Sequence, residues 1–167
     1  GVGLTSAEAY TGTGWTPLPP MPHYVCMATA GVLNGRLYVI GGAASNELQV
    51  LEMTEENGLS WSRKADLPAR RYSAASIVHE GKIWVMGGCV AGEGPSASVI
   101  IYDADLDSWA AGTPLPRAIG RCCAAVHAGE IHAISDSEVF VYRDGAWEAR
   151  AEREARPGAT CSSVLLG

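Results

Sequence analysis

Apolar residues in this chain fall into short runs separated by Gly, Asn, Pro and charged residues, and the runs return in a fixed order. A small-residue run, Cys26-Met27-Ala28-Thr29-Ala30-Gly31-Val32, leads through Asn34-Gly35 to Arg36-Leu37-Tyr38-Val39-Ile40-Gly41-Gly42. Asn-Gly suits a type I′ turn, in which both central residues take positive φ. After a loop comes Leu48-Gln49-Val50-Leu51-Glu52-Met53, and the set closes on Trp61 and Leu67-Pro68. Four runs of β-branched and aromatic residues, bounded by turn residues, predict four antiparallel strands in a meander, here called a, b, c and d. A helical pattern competes in one place, 148–156, which is rich in Ala, Glu and Arg.

The set repeats. Residues 35–42 return as Gly81-Lys82-Ile83-Trp84-Val85-Met86-Gly87-Gly88 and, worn, as Gly129-Glu130-Ile131-His132-Ala133-Ile134-Ser135-Asp136. The two Gly-Gly pairs lie 46 residues apart, and the third copy follows 47 or 48 later. Strand a recurs at 73–78 and 122–126, strand c at 98–103 and 138–142, and Trp15, Trp61, Trp109 and Trp147 mark strand d. Leu-Pro follows three of them, at Leu18-Pro19, Leu67-Pro68 and Leu115-Pro116. Self-similarity at this period denotes one supersecondary unit stacked on copies of itself. Both faces of a stacked sheet are buried, so its strands read as apolar runs rather than alternations. Ala74, Ala75, Ala124 and Ala125 suit a strand lining a crowded axis, tryptophans fill wedges between sheets, and paired glycines admit approaches that a Cβ blocks.

The paired glycines, the Tyr and Trp of strands c and d, and their spacing make the chain resemble the kelch family of β-propellers over about residues 4–166. The resemblance implies an all-β fold, a kelch-type β-propeller of about three four-stranded blades plus partial blades at both ends, forming a single unit. Residues 1–17 are expected as strands c and d of a partial blade, with Tyr10 and Trp15 in the aromatic slots. Residues 18–65, 66–112 and 113–150 follow as blades, the last degenerate, and 151–167 as a linker and the first strand of another partial blade. Kelch propellers usually have six or seven blades. The resemblance therefore implies part of a propeller, one completed by another polypeptide, or a four-bladed ring closed by the C-terminal strand. An opening Gly in place of Met points to processing or to a boundary within a longer sequence.

Composition narrows the chemistry. A net charge of −6 argues against general binding to nucleic acid or anionic membranes. No apolar stretch approaches the roughly 18 residues of a membrane span. Five cysteines, an odd number without a disulfide-framework spacing, point to a reducing, cytoplasmic compartment. Cys122 and Cys123 are adjacent rather than spaced as Cys-x-x-Cys, which disfavours zinc or redox use. His79 and His127 fall near the a–b turns, His23 on the opposite face and His132 in a strand, so no copper site is expected. Asp103, Asp105 and Asp107 alternate, but the Gly and Glu of a calcium loop are missing, and a polar c–d turn is the expectation. No nucleophile–base pair or phosphate loop stands out. The expectation is thus no cofactor, no metal and no enzyme.

In a meander, the b–c loops and the d–a linkers share one face. Long loops on a rigid scaffold are where binding residues sit. The candidates there are His23, Tyr24, Asn46, Arg70, Arg71, Tyr72, Glu93, Arg117 and Arg121. The resemblance implies that this face holds peptide ligands, often through arginine. Arg71, ten residues before Gly81, falls in the family's arginine slot; Val25 holds it in the first unit, and Arg121 lies eight before Gly129. The same Arg and Tyr side chains could instead bind backbone carbonyls at blade junctions. Residues 89–97 read equally as a binding loop or a solvated linker. The expected function is a non-enzymatic protein-interaction module, an adaptor or scaffold binding a partner protein or peptide through its loop face. Two alternatives stand beside it. One is a subunit docking or self-associating through exposed blade edges, and the other is a sugar-binding or sugar-isomerising enzyme.

Overall fold

The structure, a computed structural model, describes residues 4–54 and 58–152. In chain order the strands are β1 (Ala7–Tyr10), β2 (Trp15–Leu18), β3 (Thr29–Leu33), β4 (Arg36–Ile40), β5 (Leu48–Thr54), β6 (Gly58–Lys64), β7 (Arg71–Tyr72), β8 (Ala75–His79) and β9 (Lys82–Met86). There follow β10 (Cys89–Val90), β11 (Gly94–Pro95), β12 (Val99–Asp103), β13 (Ser108–Ala111), β14 (Cys123–His127), β15 (Glu130–Ile134), β16 (Glu138–Arg143) and β17 (Ala146–Glu152). Among the described residues there is no helix. Three four-stranded antiparallel sheets run β3-β4-β5-β6, β8-β9-β12-β13 and β14-β15-β16-β17, and these are the predicted a-b-c-d meanders. They are called blades one, two and three below. β1 and β2 form a two-stranded sheet. The expected strand a near 158–166 lies outside the described residues.

Two expectations change. Residues 148–152, read as helix-prone, continue strand β17, which pairs with β16 from Arg143↔Ala146 to Glu138↔Glu152. A ladder along the whole of β16 outweighs the small intrinsic preference of Ala, Glu and Arg. The 89–97 loop is a hairpin: β10 pairs with β11 on one side and with β7 on the other, making a separate three-stranded sheet.

The tight turns follow from local chemistry. Asn34 and Gly35 have φ of 51° and 73°, and Glu80-Gly81, Ala128-Gly129 and Asp144-Gly145 repeat the pattern. Packing then follows from strand alternation. Along β9, Ile83 and Val85 point to blade one, where they meet Leu33, Tyr38, Ile40, Leu48 and Leu67. Trp84 and Met86 point the other way, joining Ile119, Ala124, Ile131, Ala133, Phe140 and Trp147. Each blade boundary is a core. The first strands β3, β8 and β14 touch in turn, and Thr29 Oγ1 lies 2.6 Å from Ser76 Oγ across that contact.

The glycine pairs hold these boundaries together. A Cβ on Gly41 would come within 2.6 Å of the Arg71 carbonyl, and one on Gly87 within 2.7 Å of Ile119 and 2.9 Å of Cys122 Sγ, all in the following linker. A Cβ on Gly42 would meet the Cys26 carbonyl at 2.8 Å, and one on Gly88 the Tyr72 carbonyl at 2.6 Å, both on the entry to their own blade. The first glycine is thus required by the next blade and the second by its own. In the worn third copy Ser135 instead closes the loop locally, its Oγ accepting the Glu138 N–H at 2.9 Å.

The strand-d tryptophans form a second repeated device. Trp61, Trp109 and Trp147 donate their indole N–H to the carbonyls of Pro19, Ala65 and Thr113 at 2.7, 2.8 and 2.9 Å. Each acceptor lies in the linker that leaves the preceding blade. Tyr102 stands opposite Trp109 and Tyr142 opposite Trp147, with ring centroids 5.0 and 5.1 Å apart. Tyr10 and Trp15 repeat the pair at 5.5 Å, but are 62% and 69% exposed.

Replacing Trp109 with Phe is expected to cost about 1–2 kcal/mol, because the Ala65 carbonyl loses its donor. Trp15→Phe is expected to stay within about 0.5 kcal/mol. Urea unfolding followed by circular dichroism measures both. Gly88→Ala should destabilise by about 3 kcal/mol or more, since positive φ and backbone collision combine. Gly35→Ala, with open space around it, should cost only about 1 kcal/mol.

Candidate functional site

The b–c loops and d–a linkers are knitted to one another by backbone bonds. Gly42 N donates to Arg71 O, Ala43 N to Cys26 O, and Leu115 N to Ala97 O, each at 2.8 Å. Ala91 N donates to Arg70 O at 2.9 Å, which fixes the β10–β11 hairpin against the linker entering blade two. The resulting face has a rigid backbone and side chains that divide into an internal group and an outward group.

Three candidates belong to the internal group. Arg71 is 5% exposed, and its guanidinium donates to the Gly87 carbonyl and to Ser98 Oγ. Burial holds its pKa below the usual arginine value, and its Nε–H has no partner among the described residues. In the arginine slot, the side chain thus ties the linker to blade two rather than facing outward. Asn46 donates its Nδ2–H to Leu67 O at 3.2 Å, while its own carbonyl accepts from Leu67 N at 2.9 Å. Tyr72 is half-buried and pairs with Cys89 across β7 and β10.

The outward group falls into three neighbourhoods. Arg70, Glu93 and Arg121 are exposed around the β10–β11 hairpin. Arg70 lies against Ala91, Glu93 sits on the hairpin turn, and Arg121 follows Gly120, whose carbonyl accepts from Cys89 Sγ at 3.5 Å. On blade one, His23 and Tyr24 are exposed, and His23 Nε2 lies 3.4 Å from Glu47 Oε1. On blade three, exposed Arg117 pairs with Glu138 at 2.9 Å. The hairpin brings Arg70, Glu93 and Arg121 together, and leaves His23, Tyr24 and Arg117 on its flanks.

Glu47 was not a sequence candidate. It is 8% exposed, and its Oε1 also meets Arg63 Nη1 at 3.1 Å, while Oε2 has no hydrogen-bond partner among the described residues. Nothing in the repeat marks it, because its partners, His23 in the linker entering blade one and Arg63 on β6, come from segments distant in sequence.

The aspartates of the c–d turn are structural. Asp103 Oδ1 accepts from Asp105 N and Leu106 N, and Oδ2 pairs with Lys82 Nζ at 2.8 Å. Asp107 Oδ1 accepts from Ala65 N at 2.8 Å and from Tyr102 O–H at 2.6 Å. These bonds, the backbone one first, hold the Asp107 carboxyl below its ordinary pKa. Among the described residues no group of three or more His, Cys, Asp or Glu could hold a metal ion. Cys26, Cys89 and Cys122 are free thiols, and burial pushes the Cys122 thiol up. Cys123 is disulfide-bonded, a pairing that the odd cysteine count and lack of framework spacing did not announce. The turn face of blade two carries a cleft of about 250 Å³ lined by Trp84, Ile101, Leu106, His79, Lys82 and Asp103. Its charges are paired with one another, which leaves an apolar floor. No helix among the described residues is long and apolar enough to cross a membrane.

Comparison with known proteins agrees with this architecture. The Kelch motif family model matches residues 70–116, which is blade two with its hairpin. Kelch-like protein 35 of Mus musculus is 26% identical over 164 residues, covering 89% of this chain and 27% of that protein. Kelch repeat and BTB domain-containing protein 1 of Cowpox virus (strain Brighton Red) is 34% identical over 100 residues, covering 57% and 17%. Beta-scruin of Limulus polyphemus is 31% identical over 132 residues, covering 70% and 14%. The chain thus spans about a quarter or less of these relatives. A solved structure of YjhT superposes with a TM-score of 0.68 at 18% identity, covering 82% of this chain and 54% of that one.

The Asp107 bonds carry a pH prediction. A carboxyl whose folded pKa is depressed contributes stability that is present above the unfolded value, about 3.9, and lost as pH falls through the lower folded value. Urea midpoints at pH 6 and pH 3 should therefore differ less in Asp107→Asn than in the unaltered protein.

Proposed function

The chain belongs to the kelch-repeat family, and from that premise we propose that it works as a non-enzymatic protein-interaction module, an adaptor or scaffold. It engages a partner protein through the loop face of its blades. The observation that carries this reading is the outward group around the β10–β11 hairpin. Arg70 and Arg121 stand exposed on either side of a short, backbone-anchored hairpin with Glu93 at its turn. Neither arginine side chain has an ion pair among the described residues. Guanidinium groups on a rigid frame suit bidentate recognition of carboxylates, and little order is lost on binding. The partner segment is accordingly a peptide bearing acidic side chains, with the flanking His23, Tyr24 and Arg117 as rim contacts. Arg71, Asn46 and Tyr72 contribute by positioning the linkers rather than by touching the partner.

The test is affinity capture from the source lysate with the intact chain. The double variant Arg70→Glu, Arg121→Glu should lose the captured partner by roughly 10- to 100-fold, as expected for central interface arginines. Leu106→Asp, on the opposite face, should retain it. Arg71→Ala should instead lower the unfolding temperature by several degrees. Equal retention by the double variant would place the partner elsewhere.

A further inference from the structure

Blades two and three differ in the turn that joins strands c and d. In blade two, residues 104–107 lie between β12 and β13, whereas in blade three only Asp144 and Gly145 lie between β16 and β17. The longer turn closes the boundary with blade one: Ala104 packs on the core that holds Leu33 and Tyr38, and Asp107 accepts the Ala65 N–H. A chain advances at most about 3.6 Å per residue, so the shorter turn reaches less far over blade two. The cleft of about 250 Å³ lies at this gap. Its floor is Trp84, Ile101 and Ala110, which stand side by side across β9, β12 and β13.

The size and charge of the cleft select its occupant. It is smaller than the roughly 300–1,000 Å³ pockets that enclose free small molecules, and suits one large side chain carried by another chain. Leu106 forms a wall, is 74% exposed, and is held outward by its N–H bond to Asp103 Oδ1. Glu80, Asp103 and Asp105 stand around Lys82, whose Nζ is already paired with Asp103 Oδ2 at 2.8 Å. Glu80 is 81% exposed and 3.8 Å from His79 Nε2, and Asp105 is exposed beside Leu106. A purely apolar or acidic occupant would take water from these carboxylates and return nothing. Lysine or arginine beside the apolar anchor compensates them.

We propose that this cleft docks a basic segment of a partner protein. One large apolar side chain of that segment sits on Trp84, Ile101 and Ala110 against Leu106, and its flanking Lys or Arg side chains meet Glu80 and Asp105. The floor is formed in advance, which lowers the cost of binding: Trp84 is 7% exposed, with the Tyr142 and His79 rings 5.1 and 6.0 Å away. This surface lies opposite Arg70 and Arg121 and selects the opposite charge, so it does not rest on the loop-face reading.

The probes are synthetic pentapeptides with a central Leu, Met, Phe or Trp between Lys-Arg and Arg-Lys, titrated calorimetrically into the intact chain at about 0.15 M salt. At least one should bind with one peptide per chain. A central Ser should weaken it at least about tenfold, and Glu in place of the basic residues should abolish it. Leu106→Ser, and separately Glu80→Lys with Asp105→Lys, should each weaken binding about tenfold. These side chains are exposed, so the unfolding temperature should hold. Arg70→Ala with Arg121→Ala should leave binding within about twofold, whatever becomes of the loop-face partner. Absence of saturable binding by all four peptides overturns the proposal. Equal binding of the Ser-centred peptide also overturns it, as charge attraction alone would then explain the result. Unchanged affinity in Leu106→Ser overturns it by placing the peptide elsewhere.

Discussion

Each blade in this chain is a sheet whose apolar side chains fall on both faces, and burying those faces against neighbouring blades is what holds the fold together. That constraint governs the rest. A strand such as β9 sends Ile83 and Val85 one way and Trp84 and Met86 the other, so it contributes to two cores at once. A blade is therefore completed only by its neighbours. Stability is shared along the stack, as in other repeat proteins, where each unit contacts only those beside it. The apolar residues of one blade mean little without the blades on either side.

Two polar devices set the geometry that this burial requires. The indole N–H of each strand-d tryptophan reaches a carbonyl in the preceding linker. The glycine pair lets one loop lie against both its own blade and the next. Both devices satisfy backbone groups that burial would otherwise leave unpaired. Arg71 acts in the same way on the loop face, where its guanidinium serves the Gly87 carbonyl and Ser98. The internal group of loop-face residues builds the frame, and Arg70, Glu93 and Arg121 stand out from it. Rigidity beneath an exposed charged cluster is the arrangement expected of a surface that binds with little reordering.

The meander, the strand order within each blade and the boundary role of the tryptophans were legible in the sequence, because they rest on local turn chemistry and on a repeat that displays itself. Asn34-Gly35 and Gly81 mark turns whatever surrounds them. The site was less legible. Spacing put Arg71 in a slot associated with binding, but its burial depends on the Gly87 loop and the Ser98 side chain folding over it. Residues 89–97 carry no strand pattern of their own, and become a hairpin because β7 offers an edge to pair with. Residues 148–152 are helix-prone alone and strand beside β16. The Asp103, Asp105 and Asp107 series has the look of an ion site, yet Asp107 binds the Ala65 N–H and Tyr102 instead.

By itself, then, the sequence determined the repeating unit: its four strands, its turns and its residues that tolerate no Cβ. These are properties of neighbouring residues and of period, which a chain carries in any context. Only the tertiary structure decided which polar side chains are spent on the frame and which are left outward, and which apolar faces are covered. Those outcomes turn on contacts between segments tens of residues apart, such as Trp109 with Ala65 or Arg71 with Ser98, and a linear pattern holds no record of which segments meet.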